Sequence, residues 1–198
     1  MPDPSTLKFY ADNAADYVRH AQQPSPELAH FLRRLPPGGA VLELGTGNGR
    51  DAVAMLAAGF DVTPSDASRE LAAQAQARLG RPVRIMAFHE LDAVAVYDGV
   101  WACAALLHAP RDELTDDLAR IFRALRPGGH LVASFKAGDS EGRDRFGRYY
   151  NYIDAGQLRA HLTAAGAWAS LEITEHDGSG YDGMPTRWLW AEACKSAA

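Results

Sequence analysis

The chain has 198 residues, 47% of them apolar and 23% charged, with a formal net charge of −5. That size and balance suit one α/β domain able to bury roughly 70% of its unfolded surface, and the negative balance argues against a broad basic face for gripping a polyanion. Cys103 and Cys194 form no CxxC pair, so no disulfide framework and no metal site is indicated; MPDPSTLKFYADNAADY has early acids and no apolar centre, and no apolar run nears a membrane span, so a cytoplasmic location with no membrane partner is expected.

In chain order, Pro24 to Leu35 reads as a short helix, because Leu28, Phe31, Leu32 and Leu35 recur at helical spacing before PPGG. Ala40 to Leu44 is a strand, Asp51 to Ala58 a helix with Gly59 in the cap position, and Phe60 to Thr63 a second strand. Arg69 to Leu79 is an alanine-rich helix ending at Gly80. Val83 to Phe88 and Gly99 to Ala104 are further strands, the latter apolar enough for burial on both faces. Asp112 to Leu125 carries Leu114, Leu118, Ile121, Phe122 and Leu125 on one face and stops at RPGG. A strand follows at His130 to Lys136, then a polar loop from Gly138 to Arg148, then a helix from Asp154 to Ala165 with Asp154 as its N-cap. Two strand-like runs, WASLEITEH and TRWLWAEAC, flank DGSGYDGMP. They must pair antiparallel, since a parallel pair needs a crossover. The expected architecture is α/β, a mostly parallel, doubly wound sheet with an antiparallel strand near one edge, in a single domain without repeat or linker.

The stretch VLELGTGNGRD, Val41 to Asp51, joins the first strand to the first core helix through three glycines. Ligands of such sheets sit beyond the C-terminal strand ends. GxxxxGK[ST], the phosphate-binding loop, is absent, and a dinucleotide GxGxxG starting at Gly45 would need glycine where Arg50 stands. Glu43, just before the turn, would repel a pyrophosphate. It suits a ligand carrying an ammonium or sulfonium.

ELGTGNG resembles the ExGxGxG motif of class I S-adenosylmethionine-dependent methyltransferases. The likeness extends through VTPSDAS, YDGVWACAALLH, RALRPGGHLVASF and the final hairpin, from about Tyr10 to Cys194. The segment GRDRFGRYYNY is similar to a small bacterial, tellurite-resistance-like branch. The resemblance implies a Rossmann-like, seven-stranded core over residues 37–198 beneath an N-terminal helical cap over 1–36. It implies S-adenosylmethionine as cofactor, with S-adenosylhomocysteine as product. Carried over residue by residue, Glu43 lies near the cofactor's amino group, Gly45, Thr46 and Gly47 pass its methionine part, and Asp66 accepts from both ribose hydroxyls. Ala67 follows along the adenine, Phe88 packs on its face and His89 meets its edge. Ala102 and Cys103, with Ala104, line the methionine portion, while Tyr10 and Tyr17 fold over the cofactor. Ala87 departs from the acidic residue many relatives carry there, so Glu90, backbone carbonyls or packing must serve the adenine amino group.

On the acceptor side, His108 follows the fourth strand with a pKa range suited to a general base, although a histidine there also serves simply to hold the loop. Arg143, Arg145 and Arg148 are candidates to clamp an anion. Tyr149, Tyr150 and Tyr152 are candidates to line an aromatic pocket, with Tyr150 a second candidate for catalysis. Asp139, Glu141 and Asp144 are equally placed to neutralise those arginines. Cys103 lacks an electropositive setting and is not expected to be a nucleophile. Neither [DN]PP[YF] nor a Pro-Cys pair follows the fourth strand, so a small-molecule acceptor is expected rather than DNA; modified tRNA bases and protein side chains stay open, as does a monomeric or homodimeric state. Two other readings are compatible with the residues: a regulatory protein that binds S-adenosylmethionine without turnover, and a nicotinamide-dependent oxidoreductase, which Arg50 disfavours.

Overall fold

A computed structural model describes residues 2–19 and 22–197. A seven-stranded sheet is built from β1 (Ala40–Leu44), β2 (Asp61–Asp66), β3 (Arg84–Ile85), β4 (Tyr97–Ala102), β5 (Leu125–Lys136), β8 (Trp168–Ser179) and β9 (Pro185–Lys195). Its order is β3-β2-β1-β4-β5-β9-β8. The first five strands are mutually parallel, and β9 pairs antiparallel with both β5 and β8. Strand order therefore reverses beside β1, between β1 and β4, which is where such sheets open a crevice for ligands. A separate two-stranded hairpin pairs β6 (Glu141–Arg143) with β7 (Tyr149–Asn151).

Side-chain alternation divides the core between the two faces of the sheet. Leu42, Leu44, Val100, Leu131, Ala133 and Phe135 pack on one face with Leu114, Leu118 and Ile121 of α6 (Arg111–Ala124) and with Leu158 and Leu162 of α7 (Ala155–Ala165). Val41, Val62, Trp101, Val132 and Trp190 pack on the other with Ala52 and Met55 of α4 (Arg50–Ala57) and with Leu28 and Phe31 of α3 (Leu28–Leu32). A Cβ on Gly99 would lie 2.6 Å from the Phe31 ring, so the absence of a side chain on β4 is what lets α3 lie directly on the sheet. Two further helices, α1 (Pro4–Asp12) and α2 (Ala14–Tyr17), precede it, and α5 (Arg69–Leu79) connects β2 to β3. No helix among the described residues is long and apolar enough to cross a membrane.

The helix expected over Pro24 to Leu35 is regular only from Leu28 to Leu32. Its N-terminal part is held by a tertiary bond instead, the Ser25 N–H donating to Asp51 at 2.8 Å. The strand expected over Val83 to Phe88 shrinks to Arg84–Ile85, because the chain turns at Ala87 into a 3₁₀ turn over Phe88–Glu90 and the Glu90 carboxylate accepts the Ala87 N–H at 2.7 Å. By contrast α5 runs over Arg69–Leu79 as read, and Asp154 caps α7 through a reciprocal pair with Gln157. The final hairpin is longer than expected. β8 runs to Ser179, carrying the turn at 180–184 back over the strand ends.

Candidate functional site

The site begins with the turn between β1 and α4. Gly45, Gly47 and Gly49 all have left-handed backbones, with φ of 69°, 55° and 74°, a conformation that costs any residue with a Cβ. At Gly45 space is limiting as well, since a Cβ there would lie 2.7 Å from that of Ala105. The Gly47 N–H donates to Asp66 Oδ2 at 2.9 Å, and the Ser68 N–H donates to Asp66 Oδ1 at 2.9 Å. Asp66 thus ties the glycine turn to the end of β2. The N-cap of α5 is Ser68, whose hydroxyl accepts the Leu71 N–H, so Asp66 is not spent on capping that helix.

Two buried carboxylates flank this turn, Glu43 at 3% and Asp66 at 8% exposure, and neither has an ion-pair partner among the described residues. Burial pushes the Glu43 carboxyl up to about 8, against the opposing hydrogen bond from the Thr46 hydroxyl and with the support of the Asp51 and Asp66 charges. Burial likewise raises Asp66 to about 6, although the backbone N–H groups of Ser68, Gly47 and Ala67 favour its ionised form. Desolvation dominates in both, and a bound cation or hydroxyl donor would relieve it.

Two cavities meet above the turn. The first, about 760 Å³ counting its open mouth, is lined by Asp66, Ala67, Ala87, Phe88 and His89. The second, about 1530 Å³ on the same basis, is lined by Glu43, Thr46, Arg50, Cys103, Lys136, Arg148, Tyr150, Tyr181 and Trp188. Tyr10, Tyr17, Gly45, Gly47, Ala104 and His108 border both. Burial raises the Cys103 thiol to about 12, so it is neutral and unreactive.

The boundary between the cavities is a hydrogen-bonded chain. His108 Nδ1 lies 2.6 Å from the Tyr149 carbonyl and must therefore carry the proton, which leaves Nε2 to accept from the Tyr10 hydroxyl at 2.9 Å. Burial lowers the His108 pKa to about 4, which keeps this tautomer neutral. Arg148 Nη1 donates to Tyr10 at 3.2 Å, while its Nε and Nη2 grip Asp144 at 2.9 and 2.7 Å. Five rings surround its guanidinium, those of Phe9, Tyr10, Phe146, Tyr150 and Tyr181, all with centroids within 5.7 Å. The Tyr149 N–H donates to Thr6 Oγ1 at 2.8 Å, and Arg143 pairs with Asp3 at 2.7 Å. Helix α1 is thereby moored to the β6–β7 hairpin.

Most of the expected residues converge on this place, with five exceptions. Ala102 is fully buried in the core and lines neither cavity, because alternation along β4 turns it to the same face as Val100. Tyr149 lines neither; its hydroxyl donates to Glu141 and its backbone serves His108 and Thr6. Tyr152 also stands outside both, stacked on Tyr150 at 5.4 Å. Arg143 and Arg145 face Asp3 and Asp182. The sequence reading missed Lys136, Tyr181 and Trp188. Lys136 was findable as the last residue of a parallel strand, whereas Tyr181 and Trp188 carry no local signal.

A family model for a methyltransferase domain matches residues 41–129. The chain resembles the biotin biosynthesis bifunctional protein BioCD of Bordetella avium, at 34% identity over 151 residues, which cover 71% of this chain and 32% of that protein. It thus spans about a third of this curated relative. Among solved structures it is similar to the 1,6-didemethyltoxoflavin-N1-methyltransferase of Burkholderia thailandensis, crystallised with 1,6-didemethyltoxoflavin and S-adenosylhomocysteine. The identity is 25%, the TM-score 0.76, and the match covers 97% of this chain and 88% of that one. A methyltransferase from Methanosarcina mazei, at 15% identity and TM-score 0.74 over 89% of this chain and 100% of its own, shares the fold. Residues 41–129 thus match a methyltransferase domain, and the sheet order is that of the Rossmann-like fold of class I S-adenosylmethionine-dependent methyltransferases. These matches support the family without singling out the tellurite-resistance-like branch, and they lend nothing to the oxidoreductase or regulator readings.

Proposed function

We propose that the chain binds S-adenosylmethionine across the two cavities and transfers its methyl group to a small molecule held in the outer part of the second. The observation that carries this reading is the pair of buried, unpaired carboxylates, Glu43 and Asp66, on neighbouring strand ends astride one glycine turn. In it Asp66 receives the ribose hydroxyls, Ala67, Phe88 and His89 border the adenine, and Glu43 with Gly45, Thr46, Gly47 and Cys103 borders the methionine part. Residues 1–36 act as a cap on the core formed by 37–198, with Tyr10 and Tyr17 facing the bound cofactor. When bound, the cofactor supplies a methyl group activated by its sulfonium. The chain's own task is then alignment of the acceptor with that methyl and exclusion of water, without a covalent enzyme intermediate.

His108 serves in this reading as a positioning residue. Both of its nitrogens are engaged, so it offers no lone pair to an acceptor unless the Tyr10 hydroxyl moves away. Tyr150, which lines the second cavity, is placed to contact the acceptor. Calorimetric titration with S-adenosylhomocysteine tests the cofactor half, and the absence of a binding isotherm defeats the proposal. A screen of small acceptors with radiolabelled cofactor tests transfer; binding without turnover across a broad panel would favour the regulatory reading instead.

A further inference from the structure

The arginines that the sequence offers for clamping an anionic acceptor are committed to acids. Arg143 pairs with Asp3 at 2.7 Å, Arg145 with Asp182 at 3.8 Å and Arg148 with Asp144 at 2.7 Å. Lys136 differs from all three. It ends β5 and lines the second cavity at 7% exposure, yet among the described residues its Nζ makes no hydrogen bond and no ion pair within 4.0 Å.

Its close neighbours are rings, Tyr150 with its centroid at 4.2 Å and Trp188 at 6.0 Å. A π face attracts an ammonium but satisfies none of its three N–H donors, and an ammonium this deeply buried is costly without acceptors. Asp182 and Asp144 act on it through space, each already engaged with an arginine, while Arg148 and burial both work against its charge. The unmet demand is for a negative oxygen arriving in the cavity. The same cavity is lined by further rings, the stacked pair Tyr17 and Tyr181, whose centroids are 5.2 Å apart. Arg148 and Asp182 line the same cavity.

We propose that the methyl acceptor is a planar ring compound bearing an anionic oxygen, with that oxygen paired to Lys136 Nζ and the ring lying among Tyr150, Tyr181 and Trp188. This rests on the reading of the site as that of a methyltransferase, and it assigns the acceptor's chemistry to the outer end of β5.

The test uses the full chain saturated with S-adenosylhomocysteine, titrated by calorimetry with 2-naphthoate and quinoline-2-carboxylate and with their neutral carboxamides. The carboxylates are expected to bind about tenfold or more tighter than the amides, as one charge-assisted bond predicts. Lys136→Met and Lys136→Gln should remove that preference and leave affinity for S-adenosylhomocysteine unchanged. Equal affinity for acid and amide in the unaltered chain overturns the proposal without any variant. So does a failure of both carboxylates to bind up to about 10 mM, or a preference that survives in both variants. If a variant with an unchanged melting transition loses S-adenosylhomocysteine instead, Lys136 holds the cofactor's carboxylate and the proposal is also overturned. Failure of the unaltered chain to bind S-adenosylhomocysteine appears before any acid is added, and it defeats the methyltransferase reading rather than this one.

Discussion

One wall of the first cavity, between Gly45 and His89, comes from short stretches that follow β1, β2 and β3, and helix α1 with residues 104–117 closes it, whereas the second cavity draws on positions from Tyr10 to Trp188. On that wall Asp66 is aimed by the end of β2 and by the N–H groups of Gly47 and Ser68. In the second, aim depends on a buried ion pair and a ring cluster that join helix α1, the β6–β7 hairpin and the tip of the β8–β9 hairpin around Arg148. One half is part of the sheet. The other is assembled against it, and the two should fail separately.

The largest effect is expected at Arg148, which is 1% exposed. Arg148→Met leaves Asp144 without its partner, and breaking a buried pair costs about 3–5 kcal/mol. Urea denaturation should show that loss, with faster amide exchange over 4–12 and 141–151, while affinity for S-adenosylhomocysteine falls much less than in a ribose-site variant. An affinity collapse equal to that of a ribose-site variant would erase the distinction between the halves. The converse is Asp66→Ala. Removing a charged hydrogen-bond acceptor is worth about 1.5–3 kcal/mol, so S-adenosylhomocysteine affinity should fall on the order of a hundredfold; a change under about threefold would remove Asp66 from the cofactor site.

Glu43 gives a pH signature. Burial raises its folded-state pKa from 4.5 to about 8, so the folded chain holds this proton more tightly than the unfolded one. The resulting stability is present at low pH and is lost as pH rises through about 8. An ammonium-bearing ligand favours the ionised form, so affinity for S-adenosylhomocysteine should rise between about pH 6 and 8, by at most about tenfold per unit. Glu43→Gln should flatten that profile, weaken binding and melt at a higher temperature than the unaltered chain at pH 9. A flat profile in the unaltered chain would place the ammonium elsewhere. The smallest effect is expected for Tyr10→Phe, which removes the hydroxyl between Arg148 and His108. Its cost should be about 1 kcal/mol in denaturant, with cofactor affinity nearly preserved. A tenfold loss of that affinity would put the hydroxyl in contact with the cofactor instead of the boundary chain.

Legibility in the sequence followed the same division. The glycine turn, the βα alternation and α5 were readable because each is a local steric or periodic requirement, as with a φ of 69° at Gly45 or Asp154 capping α7. The strand at Val83 to Phe88 was overread, since apolar character there belongs partly to a 3₁₀ turn that carries Phe88 and His89 to the cavity. Ala102 was misaimed because proximity along β4 does not reveal which face a residue takes.

From the sequence alone came the parallel sheet, the place of the crevice and the two carboxylates beside the glycine turn. All of these follow from spacings within about twenty residues, where backbone geometry leaves few choices. Only the tertiary structure decided that Arg148 is a buried tie and that Lys136, Tyr150 and Trp188 share one chamber. Arg148 meets Tyr10 across 138 positions, and the antiparallel pairing of β9 on β5 sets Trp188 opposite Lys136. No local preference of the sequence specifies which side chains such a closure will pair.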